Sequence, residues 1–170
     1  MIVISYVTKS YWKSGEKLKA SCEKFNISHS ITFLDDWAEP KVHKLYKPFF
    51  LEETFKKFPR EILCFVDGDS QWIKEPPKVN LTTDIGLVES NAAKWNFWFS
   101  DAVRFYRNSP GTAEFIRCWK MLCEPNLIQR NNHPRVLAAF YLAKGNFKWK
   151  WVRLNGSFAR NYGKKDEMIY

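Results

Sequence analysis

Two aspartates separated by one glycine, Asp67 and Asp69, end an apolar run in the stretch Ile62 to Trp72, I-L-C-F-V-D-G-D-S-Q-W. Carboxylates this close repel each other unless a proton or a cation lies between them. Oxygen ligands of this kind select hard divalent ions such as Mg2+ or Mn2+, which in turn hold phosphate oxygens. The pair therefore points to a metal gripping a diphosphate. An EF-hand loop starting at Asp67 would need Gly at its sixth position and Glu at its twelfth, but Trp72 and Lys78 stand there. Phosphatases with a nucleophilic first aspartate also follow a strand with D-x-D, usually with Thr or Val where this chain has Gln71, and usually on their first strand. A plain Asp-Gly turn after a core strand is the remaining alternative.

The elements around the pair must place it at an edge. Ile62 to Val66, between Pro59 and Gly68, reads as a strand buried on both faces. In open α/β sheets ligands bind at the carboxyl ends of such strands. Met1 to Val7 reads as an earlier buried strand, with Thr8, Lys9 and Ser10 in a polar loop at its end. Leu18, Cys22 and Phe25 recur at helical spacing over about 14–25, and Ser28 to Leu34 reads as a second strand. That β-α-β opening predicts a parallel pair and puts Thr8 on the same side as Asp67. A helix with Pro48 in its first turn runs to Pro59. Lys47 at its start is the basic residue best placed for a phosphate, because a helix amino-terminus and an ammonium together make an anion site.

Further along, Ser70 to Ile73 reads as a short extension, and Asp84 to Glu89 and Asp101 to Tyr106 as strands. Asn91 to Ser100, with Trp95, Phe97 and Trp98, reads as a wall facing an acceptor or as a half-buried loop. Ser109-Pro110 opens a helix whose core face is Phe115, Cys118, Trp119 and Leu122. Another helix starts near His133-Pro134 and stops at Gly145, with His133 as cap or ligand. Phe147 to Leu154 alternates like a half-exposed strand, and residues 155–170 read as a polar tail, loop or partly disordered.

Length and composition fit one α/β domain of 170 residues, 45% apolar, with 14 Phe, 8 Trp and 7 Tyr, more rings than a core needs. A net charge of +9 suits an anionic partner such as nucleotide phosphates, a membrane surface or nucleic acid. Cys22, Cys64, Cys118 and Cys123 match no zinc spacing and read as buried free thiols in a reducing compartment. No run approaches the roughly 20 apolar residues of a membrane span, and the apolar start is short for a signal peptide. The expectation is a cytoplasmic protein with at most peripheral membrane contact.

With these pieces in order, the chain resembles a small GT-A type glycosyltransferase, the nucleotide-diphospho-sugar transferase fold. The matching segments are I-V-I-S-Y-V-T, then Tyr46-Lys47-Pro48 with a helix ending F-P, then I-L-C-F-V-D-G-D-S, then R-F-Y-R-N-S-P-G-T-A-E-F-I-R-C-W. The resemblance spans roughly 2–154, and the D-x-D with its strand is the specific part. It implies a three-layer α/β/α domain over 1–154 with a mainly parallel, Rossmann-like mixed sheet. It also implies Mn2+ or Mg2+ on Asp67 and Asp69, with Asp69 the more direct ligand and Asp67 shared with the ribose. Tyr6 and Thr8 would meet a uridine- or guanosine-type nucleoside, and Lys47 would sit near the phosphates or orient an aspartate.

The chain departs from that pattern in two places. Asn131-Asn132-His133-Pro134 stands where many members carry D-Q or another acid facing the sugar, and no histidine follows His133. The catalytic base is thus open, with Asp101 the first candidate and Asp84 and Glu89 the others. Trp98, Ser100 and His133 are candidates to face the sugar or acceptor. The implied activity is metal-dependent transfer of a sugar from a UDP- or GDP-type nucleotide sugar to an unknown acceptor. A second copy or a partner protein could complete the acceptor side. The competing readings are a nucleotide-sugar-binding module without turnover and a basic nucleic-acid-binding domain.

Overall fold

The computed structural model describes residues 1–35, 43–76, 79–89, 99–129, 151–154 and 167–169. The apolar opening forms β1 (Ile2–Thr8), and a 3-10 turn over Lys9–Tyr11 leads into α1 (Trp12–Lys24). The helix starts two residues before Ser14 and has no side-chain cap. Trp12 anchors it instead, its indole N–H donating to the Leu34 carbonyl at 3.4 Å and its ring edge-on to Phe33. β2 (His29–Leu34) then lies parallel to β1, from Val3 opposite His29 to Thr8 opposite Leu34.

A second 3-10 turn, Lys44–Tyr46, precedes α2 (Lys47–Lys57), which has Pro48 in its first turn and stops before Pro59. β3 (Ile62–Val66) returns parallel to β1 with Ile4 opposite Phe65. After β4 (Ser70–Trp72) come β5 (Ile85–Glu89) and β6 (Phe99–Arg107), with β6 antiparallel to both β3 and β5. α3 (Pro110–Gln129) follows, and the Ser109 hydroxyl caps it by accepting from the Thr112 N–H at 3.2 Å. β7 (Trp151–Leu154) pairs parallel to β5. The described part of the main sheet runs β2-β1-β3-β6-β5-β7, a mixed sheet.

Period-2 alternation sends each central strand's side chains to two cores. Ile2, Ile4, Leu63, Phe65, Ile85, Leu87 and Tyr106 face α2 and α3, packing on Phe50, Leu51, Phe55, Phe115, Ile116 and Trp119. Val3, Cys64, Val66, Val88, Val103 and Phe105 face the other way, onto Leu18, Cys22 and Trp72. Each such fully buried side chain contributes about 1.5–3 kcal/mol. The layers are thus helix, sheet and helix, and the strands are apolar throughout because both faces are covered. The four cysteines are free and buried, and burial pushes the Cys22 and Cys123 thiols up to about 12.

Two expectations change. Ser70–Trp72 is not an extension of β3 but a separate strand, and the tail expected as loop or disorder contributes β8 (Glu167–Ile169), paired parallel to β4. Three-residue strands carry too little periodicity to be read locally, and this one forms because β4 presents it with backbone groups that need partners. The helix expected at 133–145 lies outside the described residues.

Candidate functional site

β1 and β3 are adjacent and parallel, so both release their chains at the same edge of the sheet. Asp67 and Asp69 occupy the turn that follows β3, closed by the Ser70 N–H donating to the Asp67 carbonyl at 3.0 Å. The turn lies directly against the end of β1. There it borders a cleft of about 270 Å3. Tyr6, Val7, Thr8 and Tyr11 form one side of it; His43, Lys44 and Lys47 form another; Phe65 and the Asp67-Gly68-Asp69 turn complete it.

Lys47 is the first residue of α2, and its buried side chain reaches into this cleft. Its Nζ donates to Asp67 Oδ1 at 2.7 Å and lies 5.2 Å from the centre of the Phe65 ring. Tyr6 lies beneath, edge-on to Tyr46 and Phe50, and its hydroxyl donates to the His43 carbonyl at 2.7 Å. Burial first, and the Asp67 charge second, hold the Tyr6 phenol well above its ordinary range. Its proton therefore stays on and is engaged by His43, which pins the chain entering α2. Thr8 is buried at the cleft wall.

Asp69 lies in the same turn. Burial, and then the Asp67 carboxylate, raise its pKa above the ordinary 3.8, opposed by its own backbone N–H and by Lys47 and Lys44. That is the signature of a like-charged pair partly withdrawn from water, a cost that a nearby positive charge lowers. Among the described residues no group of three His, Cys, Asp or Glu side chains gathers as a metal cage. Among the described residues, the acidic side chains at this turn are these two carboxylates.

The structure brings Tyr6, Thr8, Lys47, Asp67 and Asp69 together around one cleft. Ser100 and Asp101 lie on β6 before Val103, which stands opposite Val66, so this part of β6 continues past the end of β3 toward the same edge. Their side chains are outside the described ones, and Trp98 and His133 lie outside the described residues. Asp84 is elsewhere: its Oδ1 accepts from the Ser109 hydroxyl at 2.6 Å and faces Arg107 Nη2 at 3.5 Å, tying β5 to the start of α3. Glu89 ends β5 opposite Phe99. Tyr11, His43 and Lys44 were not among the expected site residues. Tyr11 is the notable one, a ring 43% exposed on the cleft wall, and its signal was an aromatic residue just after the first strand.

No protein-family model matches the sequence, and no curated protein matches it. Solved structures do. A glycosyltransferase involved in the glycosylation of the major capsid of PBCV-1 superposes with a TM-score of 0.66 at 14% identity, over 91% of this chain and 81% of that one. The glycosyltransferase GlyE of Streptococcus pneumoniae TIGR4 superposes with a TM-score of 0.52 at 13% identity, over 90% of this chain. This chain spans 45% of the pneumococcal one. At such identities the likeness establishes architecture: the chain has an α/β fold of the GT-A-like glycosyltransferase type.

Proposed function

We propose that this protein is a glycosyltransferase whose donor is a nucleotide diphosphate sugar, bound with its diphosphate at the Asp67-Gly68-Asp69 turn. The observation that carries the reading is the meeting, at one sheet edge, of two carboxylates with Lys47, Lys44 and an exposed Tyr11 ring. The acids suit Mn2+ or Mg2+, the lysines suit phosphate charge, and the ring suits a nucleobase face. Asp69, whose charge burial and Asp67 make costly, would be relieved by a divalent ion.

In the reaction an acceptor hydroxyl replaces the phosphate oxygen at the anomeric carbon, and the nucleoside diphosphate departs with the bonding electrons. A divalent cation, when bound, offsets the negative charge growing on that diphosphate. The chain's own contribution is to hold the diphosphate between the turn and α2 and to fix the base against Tyr11. Asp101, on the strand that continues toward the same edge, is the candidate to receive the acceptor's proton. The nearness of the PBCV-1 and pneumococcal glycosyltransferases in fold supports transfer chemistry over a nucleic-acid-binding role.

The test is thermal stability with UDP or GDP, with and without Mn2+. Stabilisation by a diphosphate that needs the metal and disappears in Asp69→Asn supports the site, and hydrolysis of a nucleotide sugar then separates turnover from binding alone. Metal-independent binding of single-stranded DNA with no response to either diphosphate would overturn it.

A further inference from the structure

Asp67 and Asp69 share one turn but have unequal surroundings. Asp67 Oδ1 already holds an ammonium, Lys47 Nζ, at 2.7 Å. The lysine side chain is only 11% exposed, and the Phe65 ring lies against its charge. An ammonium so far removed from water depends on its carboxylate partner. The geometry is not that of a surface lysine free to swing aside, because Lys47 starts α2, is followed by Pro48, and is flanked by the buried Leu45, Phe50 and Leu51. Asp69, by contrast, has no ion-pair partner among the described residues.

Resting on the diphosphate reading above, we propose that Lys47 is a resident counter-cation for Asp67 that competes with a divalent ion for that carboxylate, so that the ion is retained only together with a diphosphate. Among the described residues, an ion arriving alone meets one committed carboxylate and one open one, too few side-chain oxygens for a six-coordinate hard cation. A diphosphate supplies further oxygens and is itself attracted by Lys47. The same lysine thus weakens capture of the free ion and strengthens capture of the ion with its anion. This makes Lys47 a positioning residue that sets the order of binding, beyond simply neutralising a charge.

The test is calorimetric titration of Mn2+ alone, and of Mn2+ in the presence of UDP or GDP, into the wild type, Lys47→Met and Lys47→Arg. Lys47→Met is expected to bind Mn2+ alone about tenfold more tightly than the wild type, since one close cationic competitor is gone. It should also lose most of the gain that the diphosphate gives. Lys47→Arg keeps the charge and should behave as the wild type does. The inference is overturned if wild-type protein binds Mn2+ equally well with and without diphosphate, a comparison that needs no variant. It is also overturned if Lys47→Met binds the free ion as weakly as the wild type while Asp69→Asn still abolishes joint binding; in that case the diphosphate site stands. Absence of joint binding in the wild type removes the site itself.

Discussion

A β-carbon on Gly68 would lie 2.1 Å from Val7 Cγ1, and 3.2 Å from the Tyr6 carbonyl oxygen. The turn carrying the two carboxylates therefore rests on the end of β1 with no room for a side chain, and glycine stands between the aspartates for that close approach. Val7 meets a second glycine on its other side, where a β-carbon on Gly15 of α1 would lie 2.7 Å from Val7 Cγ2. Gly68→Ala and Gly15→Ala are each expected to lower stability by about 1–3 kcal/mol through overpacking. Only Gly68→Ala should also abolish the stabilisation given by Mn2+ with a diphosphate, because only that substitution displaces Asp67 and Asp69. Denaturant titrations with and without ligand check this, and a Gly68→Ala protein that still responds fully to the ligand would show that the turn's seat on β1 is irrelevant to the site.

Tyr11 is mostly free of the core, so its removal should touch binding and leave folding alone. Stacking of a base on an aromatic ring is worth about 1–3 kcal/mol. Tyr11→Ala should weaken UDP or GDP binding by roughly that amount with an unchanged melting temperature, while Tyr11→Phe keeps the ring and the affinity. Titration with the diphosphates against inorganic pyrophosphate isolates the base. If Tyr11→Ala weakens pyrophosphate and nucleotide equally, the ring is not a base platform.

Asp69 gives a pH signature. Its carboxyl is raised above 3.8 by burial and by Asp67, so the folded protein holds that proton more tightly than the unfolded chain does. Where the native state binds more protons, stability falls as pH rises. In metal-free buffer the cost therefore sets in above the ordinary carboxylate value and is complete once pH exceeds the raised one. Asp69→Asn removes it. The variant should be more stable than the wild type at neutral pH, and this advantage should vanish in acid below 3.8, with Mn2+ and diphosphate reversing the order at neutral pH. Melting curves across pH decide it; a variant less stable than the wild type at pH 7 without metal would mean that the Asp69 charge is well solvated.

Much of this arrangement is legible in the sequence. Ile/Val-rich runs gave β1 and β3, Ser109-Pro110 and Pro48 marked two helix starts, and the D-x-D stood at its strand end, because local periodicity and capping chemistry determine these features. What escaped depends on distant partners. β8 exists through its pairing with β4, and nothing within Glu167–Ile169 announces it. Tyr11 and Lys44 belong to 3-10 turns, to which neither helical nor strand spacing applies. Lys47 was readable as a cation near the site, but whether it met phosphate or aspartate depended on where α2 sits relative to β3. The start of α1 at Trp12 carries no local signal because its anchor is an indole reaching Leu34 on a strand, and the usual capping residue is missing.

Asp84 shows how a buried acid can be set apart from chemistry. It lies away from the cleft, and its carboxylate accepts the Ser109 hydroxyl at 2.6 Å while its carbonyl accepts from Thr112 Oγ1 at 2.9 Å and from the Arg107 N–H at 2.9 Å. The first turn of α3 is thereby tied to the start of β5 and the end of β6. Asp84→Ala leaves the Ser109 hydroxyl in a part-buried place without this acceptor, which should cost about 1–3 kcal/mol. The remaining carbonyl bonds hold the helix near its position, so the cleft on the far side of β3 should be unchanged. Folded Asp84→Ala protein is expected to bind Mn2+ with a diphosphate as the wild type does, at lower denaturation midpoint. Loss of ligand response with an unaltered midpoint would instead make Asp84 part of the functional machinery and move the site's acid away from β6.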